Sequence, residues 1–233
     1  PVAAEAVPRG ADMGRRVLLV HGARASRAGW VAGGLRARGL SVTGVACPRE
    51  PDLDLVEAGV ARGREAGAEV VVAIGGGAAL DAGKAIAALI PADRPVMDHL
   101  EVIGAGLPLD RAPLPCVALP TTAGTGAEVT RNAVIGVPRA RRKVSLRDSR
   151  MLPDLALNDP ALTDDLPAEV TLGSGLDAVT QVIEPYLSRR ATPLTDALCR
   201  DAIPRGLRAL RALMTGPDEY ARDDMALVSL CGG

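Results

Sequence analysis

Phenylalanine is absent from this sequence, and one tryptophan and two tyrosines are the only aromatic residues among 233. A groove that stacks unpaired bases on aromatic rings is therefore excluded. There is no basic excess either. The 27 Lys and Arg against 28 Asp and Glu leave a net charge of -1, where a protein that neutralises nucleic-acid phosphates would be strongly basic. The four cysteines, Cys47, Cys116, Cys199 and Cys231, are too scattered for a disulfide framework or a C-x-x-C motif, so reduced thiols and a cytoplasmic location are expected. No apolar run reaches the ~18 residues of a membrane span. The opening PVAAEAVPRGADMG has neither the basic nor the apolar region of a signal peptide. Lysine is nearly missing: Lys84 and Lys143 stand alone among the basic residues. Both are thereby candidates for places that need a compact ammonium instead of a planar guanidinium.

What is present is a chain that is 48% hydrophobic with a mean hydropathy of +0.17, long enough for one or two domains and able to bury a sizeable core. Short apolar runs at 16–20, 41–46 and 69–74 alternate with helical periodicity at 27–38, 52–66 and 79–90, with Asp52 as a plausible cap. The valine-rich run 69–74 shows no polar alternation, the mark of a strand covered on both faces. This alternation predicts a parallel sheet with helices on both faces. A Pro- and Gly-rich connection at 91–115 leads to a strand at 116–119, a polar loop at 120–126, a hairpin of 129–135 with 143–147 and a short strand at 155–157. Beyond it, 168–187, 193–214 and 217–230 are strand-poor and helical in period. The expected organisation is an α/β half over 1–160, followed by the start of an all-helical domain over 161–233.

Two loops carry chemistry. Gly75-Gly76-Gly77 lies between a buried strand and a helix, where missing Cβ atoms let backbone N–H groups approach a phosphate. It is not a G-x-G-x-x-G fingerprint, because Leu80 stands where the third glycine would be, and no Ser or Thr follows Lys84 as a Walker loop requires. Thr121-Thr122-Ala123-Gly124-Thr125-Gly126 is a second loop of hydroxyls and glycines at the end of a strand. Singly, each reads as readily as an ordinary turn. Together in one sheet they point to a large phosphate-bearing ligand.

The stretches IGGGAALDAGKA (74–85), ALPTTAGTGAEVT (118–130), GLDAVTQVIEPYLS (175–188) and LTDALC (194–199) resemble, in order, the iron-containing (group III) alcohol dehydrogenase family. The likeness runs from about Arg16 to Gly233. It implies a Rossmann-like α/β half that binds NAD or NADP through Gly76, Gly77 and Ala78, with Asp81 beside them. Thr121, Thr122 and Thr125 would surround the cofactor, Lys143 would reach it, and Leu162 and Thr163 would lie against it. Ala78 stands where the family often has serine. Gly22 stands where NAD-preferring members carry an aspartate, and with Arg24 and Arg27 just beyond it implies that NADP is accepted. The resemblance also implies a divalent metal, iron or zinc, held in part by Asp177 and by residue 181 on the same helix face. That residue is Gln181, a weaker ligand for such a metal than the histidine the family has there. Two further histidine ligands would lie beyond Gly233, so the helical half is expected to be incomplete, with Met225, Val228 and Leu230 forming an uncovered apolar face.

The implied reaction is reversible hydride transfer between a small alcohol or aldehyde and NAD(P), with no nucleic-acid or membrane partner; a homodimer is left open. Two other readings stay open on the same scaffold. One is an impaired form that only binds nucleotide, and the other is a lyase resembling dehydroquinate synthases.

Overall fold

The computed structural model describes residues 2–233. Its first part runs α1 (Ala6–Met13), β1 (Arg16–His21), α2 (Gly29–Ala37), β2 (Ser41–Ala46), α3 (Leu53–Glu65), β3 (Val70–Gly75) and α4 (Gly77–Leu89). A single turn, α5 (Val96–His99), interrupts the long connection to β4 (Cys116–Pro120). The hairpin of β5 (Asn132–Val137) and β6 (Arg142–Arg147) and the short β7 (Leu155–Ala156) follow, and the chain closes with α6 (Ala168–Tyr186), α7 (Pro193–Leu213) and α8 (Glu219–Gly232).

Five strands form one parallel sheet in the order β2-β1-β3-β4-β7. Val17 and Leu19 of β1 pack with Ala6, Val31 and Leu35 of α1 and α2, while Leu18 and Val20 pack with Val56 and Ile86 of α3 and α4. Successive strand side chains point to opposite faces, so a sheet buried on both sides needs an unbroken apolar run. A Cβ at Gly83 would lie 2.5 Å from the Cβ of Ala73, so α4 rides directly on β3 and the turn between them is held close to the sheet. The strand order reverses between β1 and β3, which opens a crevice at their C-terminal ends. At its floor the Gly22 N–H donates to the Ile74 carbonyl at 3.3 Å.

The fold departs from the sequence expectation in several places. α1 was not foreseen, because Pro8 and Gly10 argue against a helix. Pro8 sits in the first turn, where its missing N–H has no helical partner to lose, and Gly10 is buried with its Cα facing Leu35 and Val72. The first hairpin strand begins at Asn132 instead of 129, because Gly126 adopts φ +58° and a 3-10 turn follows over Ala127–Val129. The face expected to be uncovered on the last helix is covered: Met225 and Val228 are 2% and 0% exposed, in a third apolar cluster with Ala178, Val182, Ala202 and Leu210 of α6 and α7. Leu230 alone is exposed, since it lies two positions beyond Val228 and so on the other side of the helix. All four cysteines are unbridged. Among the described residues no helix is long and apolar enough to cross a membrane.

Candidate functional site

β3 delivers the glycine turn to the crevice. Gly76 caps α4, and its carbonyl accepts the N–H groups of Ala79 and Leu80 at 3.0 and 3.2 Å. The helix begins at Gly77, two residues earlier than the periodicity predicts, which places Gly77 and Ala78 in its first turn. N–H groups there have no acceptor within the helix and stand at the positive end of its dipole. The neighbouring β4 sets the threonine loop alongside, with the Thr121 N–H donating to the Gly75 carbonyl at 2.9 Å. A Cβ at Gly76 would lie 3.3 Å from Thr122 Oγ1, and one at Gly77 would lie 2.8 Å from Thr125 Oγ1. Turn and loop thus face each other across a cavity of about 550 Å³ whose lining includes Gly76, Gly77, Ala78, Asp81, Thr122 and Thr125. An anion entering it meets N–H and hydroxyl groups with no Cβ between.

Lys84 braces this arrangement from beneath. Its fully buried ammonium donates to the Ala127 carbonyl and Thr130 Oγ1, each at 2.7 Å, and to the Asn132 carbonyl, and pairs with Asp81 Oδ1 at 3.1 Å. Asp81 Oδ2 accepts the Val134 N–H at 2.9 Å, so helix, loop and hairpin meet on one ion pair. Burial raises the Asp81 carboxyl above its ordinary value, offset in part by the Lys84 ammonium and the Val134 N–H.

Glu128, next to Lys84's carbonyl partner, is 2% exposed and its Oε1 has no hydrogen-bond partner among the described residues; burial pushes this carboxyl up as well. A raised acid holds its proton in the native state at a pH where the unfolded chain has released it. Stability therefore falls as pH rises from the ordinary value of 4.5 through the raised one. Glu128→Gln is expected to raise Tm at about pH 8 by roughly 2–4 °C and to flatten the decline from about pH 5. Thermal melts of both proteins across that range check this, and parallel curves would refute it.

A second cavity, of about 320 Å³, lies over the end of β1 and shares Gly76 with the first, so the two make one groove along the strand ends. Gly22, Arg24, Arg27 and Thr121 line it, together with His21, Leu166 and Pro167, and no carboxylate does. A Cβ at Gly22 would meet nothing within 4 Å, so space does not demand glycine there; what the position lacks is a charge. His21 was missed as a lining residue. Its signal was its place at the last position of a strand that points into the crevice.

The other expected cofactor residues are dispersed. Lys143 pairs with Glu50 at 3.1 Å on the surface, and of the two only Glu50 lines the groove. The Thr163 hydroxyl is buried and donates to the Pro160 carbonyl at 2.7 Å, while Leu162 packs against the apolar cluster on the α1 and α2 side of the sheet. The structure brings Leu166 and Pro167 to the groove in their place.

Asp177 and Gln181 do share one turn of α6, as their spacing requires, but they bond to each other. Gln181 Nε2 donates to Asp177 Oδ2 at 2.9 Å and to the Gly124 carbonyl at 3.0 Å. Among the described residues no three of His, Cys, Asp and Glu converge as a metal-binding group. A divalent ion of this kind takes three or four protein donors, of which Asp177 and Gln181 supply at most two.

Residues 3–160 match the iron-containing alcohol dehydrogenase family, and residues 171–233 match the C-terminal part of the Fe-containing alcohol dehydrogenase family. The chain is 39% identical over 212 residues to the probable alcohol dehydrogenase EutG of Escherichia coli (strain K12), covering 89% of this chain and 53% of that protein. It is also 39% identical over 185 residues to long-chain-alcohol dehydrogenase 1 of Geobacillus thermodenitrificans (strain NG80-2), covering 79% and 46%. Its structure is similar to that of sulfoacetaldehyde reductase from Bifidobacterium kashiwanohense in complex with NAD+, with a TM-score of 0.87 and 27% identity over 99% of this chain and 61% of the other. The chain spans about half the length of the curated relatives it matches. With both of its parts matched in order, the chain belongs to the iron-containing alcohol dehydrogenase family.

Proposed function

We propose that the groove binds a nicotinamide dinucleotide and that the protein is an oxidoreductase moving hydride between a small alcohol and its aldehyde. The observation that carries this reading is the facing of the glycine turn and the threonine loop at the ends of β3 and β4, next to the point where the strand order reverses between β1 and β3. Residues 1–160 supply the dinucleotide groove, and the part from 161 onward adds the wall that carries Gln181. The N–H groups of Gly77 and Ala78 and the hydroxyls of Thr122 and Thr125 receive the diphosphate. A bound nicotinamide supplies the carbon that accepts or gives the hydride. The chain's residues hold it in place, and the buried Lys84–Asp81 pair keeps loop and hairpin in register while it is bound. The dehydrogenases and the reductase reported above point to the same reaction class and not to a lyase.

The cofactor we propose is the phosphorylated dinucleotide, NADP, with NAD also taken. The end of the groove over β1 has Arg24 and Arg27 and no carboxylate to repel a phosphate on the ribose. In calorimetric titration NADPH is expected to bind at least as tightly as NADH. Arg27→Ala should weaken NADPH roughly tenfold, as for loss of one charge-assisted hydrogen bond, and leave NADH nearly unchanged. A strong preference for NADH in affinity or in kcat/KM removes the phosphorylated choice, and no binding of either removes the dinucleotide reading itself.

A further inference from the structure

The threonine loop is seated on the helical part of the chain. A Cβ at Gly124 would lie 2.9 Å from the Ser174 carbonyl of α6, and one at Gly126 would lie 2.7 Å from the Ser229 carbonyl of α8. Ala123 packs against the apolar cluster between α6, α7 and α8. These approaches place the loop but do not fix its rotation. One directed interaction does: Gln181 Nε2 donates to the Gly124 carbonyl at 3.0 Å and to Asp177 Oδ2 at 2.9 Å. A backbone carbonyl can only accept, so the NH2 side of the amide must face it, and both of its hydrogens are committed.

We infer that Gln181 is a positioning residue for the dinucleotide loop. Its amide ties Gly124, midway between Thr122 and Thr125, to α6, and so aims the two hydroxyls at the glycine turn. Asp177 holds the amide from the other side, one helical turn back. The inference rests on the dinucleotide reading of the groove and adds that the helical part of the chain sets the affinity of the α/β part.

Three variants of the full chain test it. Gln181→Glu keeps the size and removes both donors, Gln181→Met removes them without adding charge, and Gln181→His keeps one N–H at similar reach. The readouts are NADPH and NADH affinity by fluorescence titration, amide hydrogen exchange of residues 122–126, and Tm as a folding control. Both donorless variants are expected to bind roughly tenfold more weakly and to exchange faster in the loop. The His variant should stay within about threefold of the parent. A side chain needed only for packing would not separate Glu from His in this way. Parent-like binding and exchange in the Glu and Met variants would overturn the inference, and so would a loss in the His variant as large as theirs. Should the parent bind neither cofactor, the dinucleotide reading fails, and loop exchange in the variants still decides whether Gln181 holds the loop.

Discussion

Lys84→Met is expected to cost about 3–5 kcal/mol of folding stability, the range for removing one partner of a buried ion pair. The ammonium, itself out of contact with water, satisfies two backbone carbonyls and Thr130 Oγ1 and offsets the charge of the largely buried Asp81. Methionine fills the volume and replaces none of those interactions. Without Lys84 the Asp81 carboxyl keeps its burial and loses its main offsetting charge, so the native variant holds the proton to higher pH than the parent. The variant's deficit should therefore grow as pH rises through that raised value. Adding Asp81→Asn removes the stranded charge while leaving an acceptor for the Val134 N–H, and part of the stability should return. Denaturant unfolding of the parent, single and double variants measures this. A Lys84→Met protein within about 1 kcal/mol of the parent would show that the pair contributes little.

Gly77→Val should weaken dinucleotide binding on the order of a hundredfold, more than any charge-neutral change on the groove wall, because two losses combine. The new Cβ would lie 2.7 Å from Thr125 Cγ2 and 2.8 Å from its Oγ1, so the threonine must move. The rest of the side chain then stands where a diphosphate would approach the first-turn N–H groups, which forfeits hydrogen bonds to a charged group worth ~1.5–3 kcal/mol each. The exposed Gly33 of α2 is the control: a Cβ there meets nothing within 4 Å, and Gly33→Ala should leave binding unchanged and stability the same or slightly higher. Titration with NADPH and NADH alongside thermal melts separates the two effects. Parent-like affinity in Gly77→Val would mean that the ligand does not pass over the turn.

Much of the α/β part was legible in the sequence because its signals are local. An apolar run such as 70–74 admits few structures other than a doubly covered strand, and Asp52 is a cap by residue type, confirmed by its side chain accepting the Leu55 N–H at 2.9 Å. The two loops of the site were legible for the same reason, since glycine and threonine clusters at strand ends have few uses. α1 was not legible, because Pro8 and Gly10 lower its propensity and only packing against α2 and β3 makes it form. Residues drawn from the resemblance fared unevenly. Thr122, Thr125, Asp81 and Gln181 converge on the first cavity and Gly22 and Thr121 on the second, while Leu162, Thr163 and Lys143 turn to the core or the surface.

From the sequence alone came the order of strands and helices, the glycine turn, the hydroxyl loop and the scarcity of lysine, all set by residue type and spacing along the chain. Which groups meet was decided by the tertiary structure. Lys84 is 43 residues from the Ala127 carbonyl it satisfies, and Gln181 is 57 residues from the Gly124 carbonyl it holds. Pairings over such separations leave no local trace, because a side chain's partner is fixed only when burial removes water as the alternative.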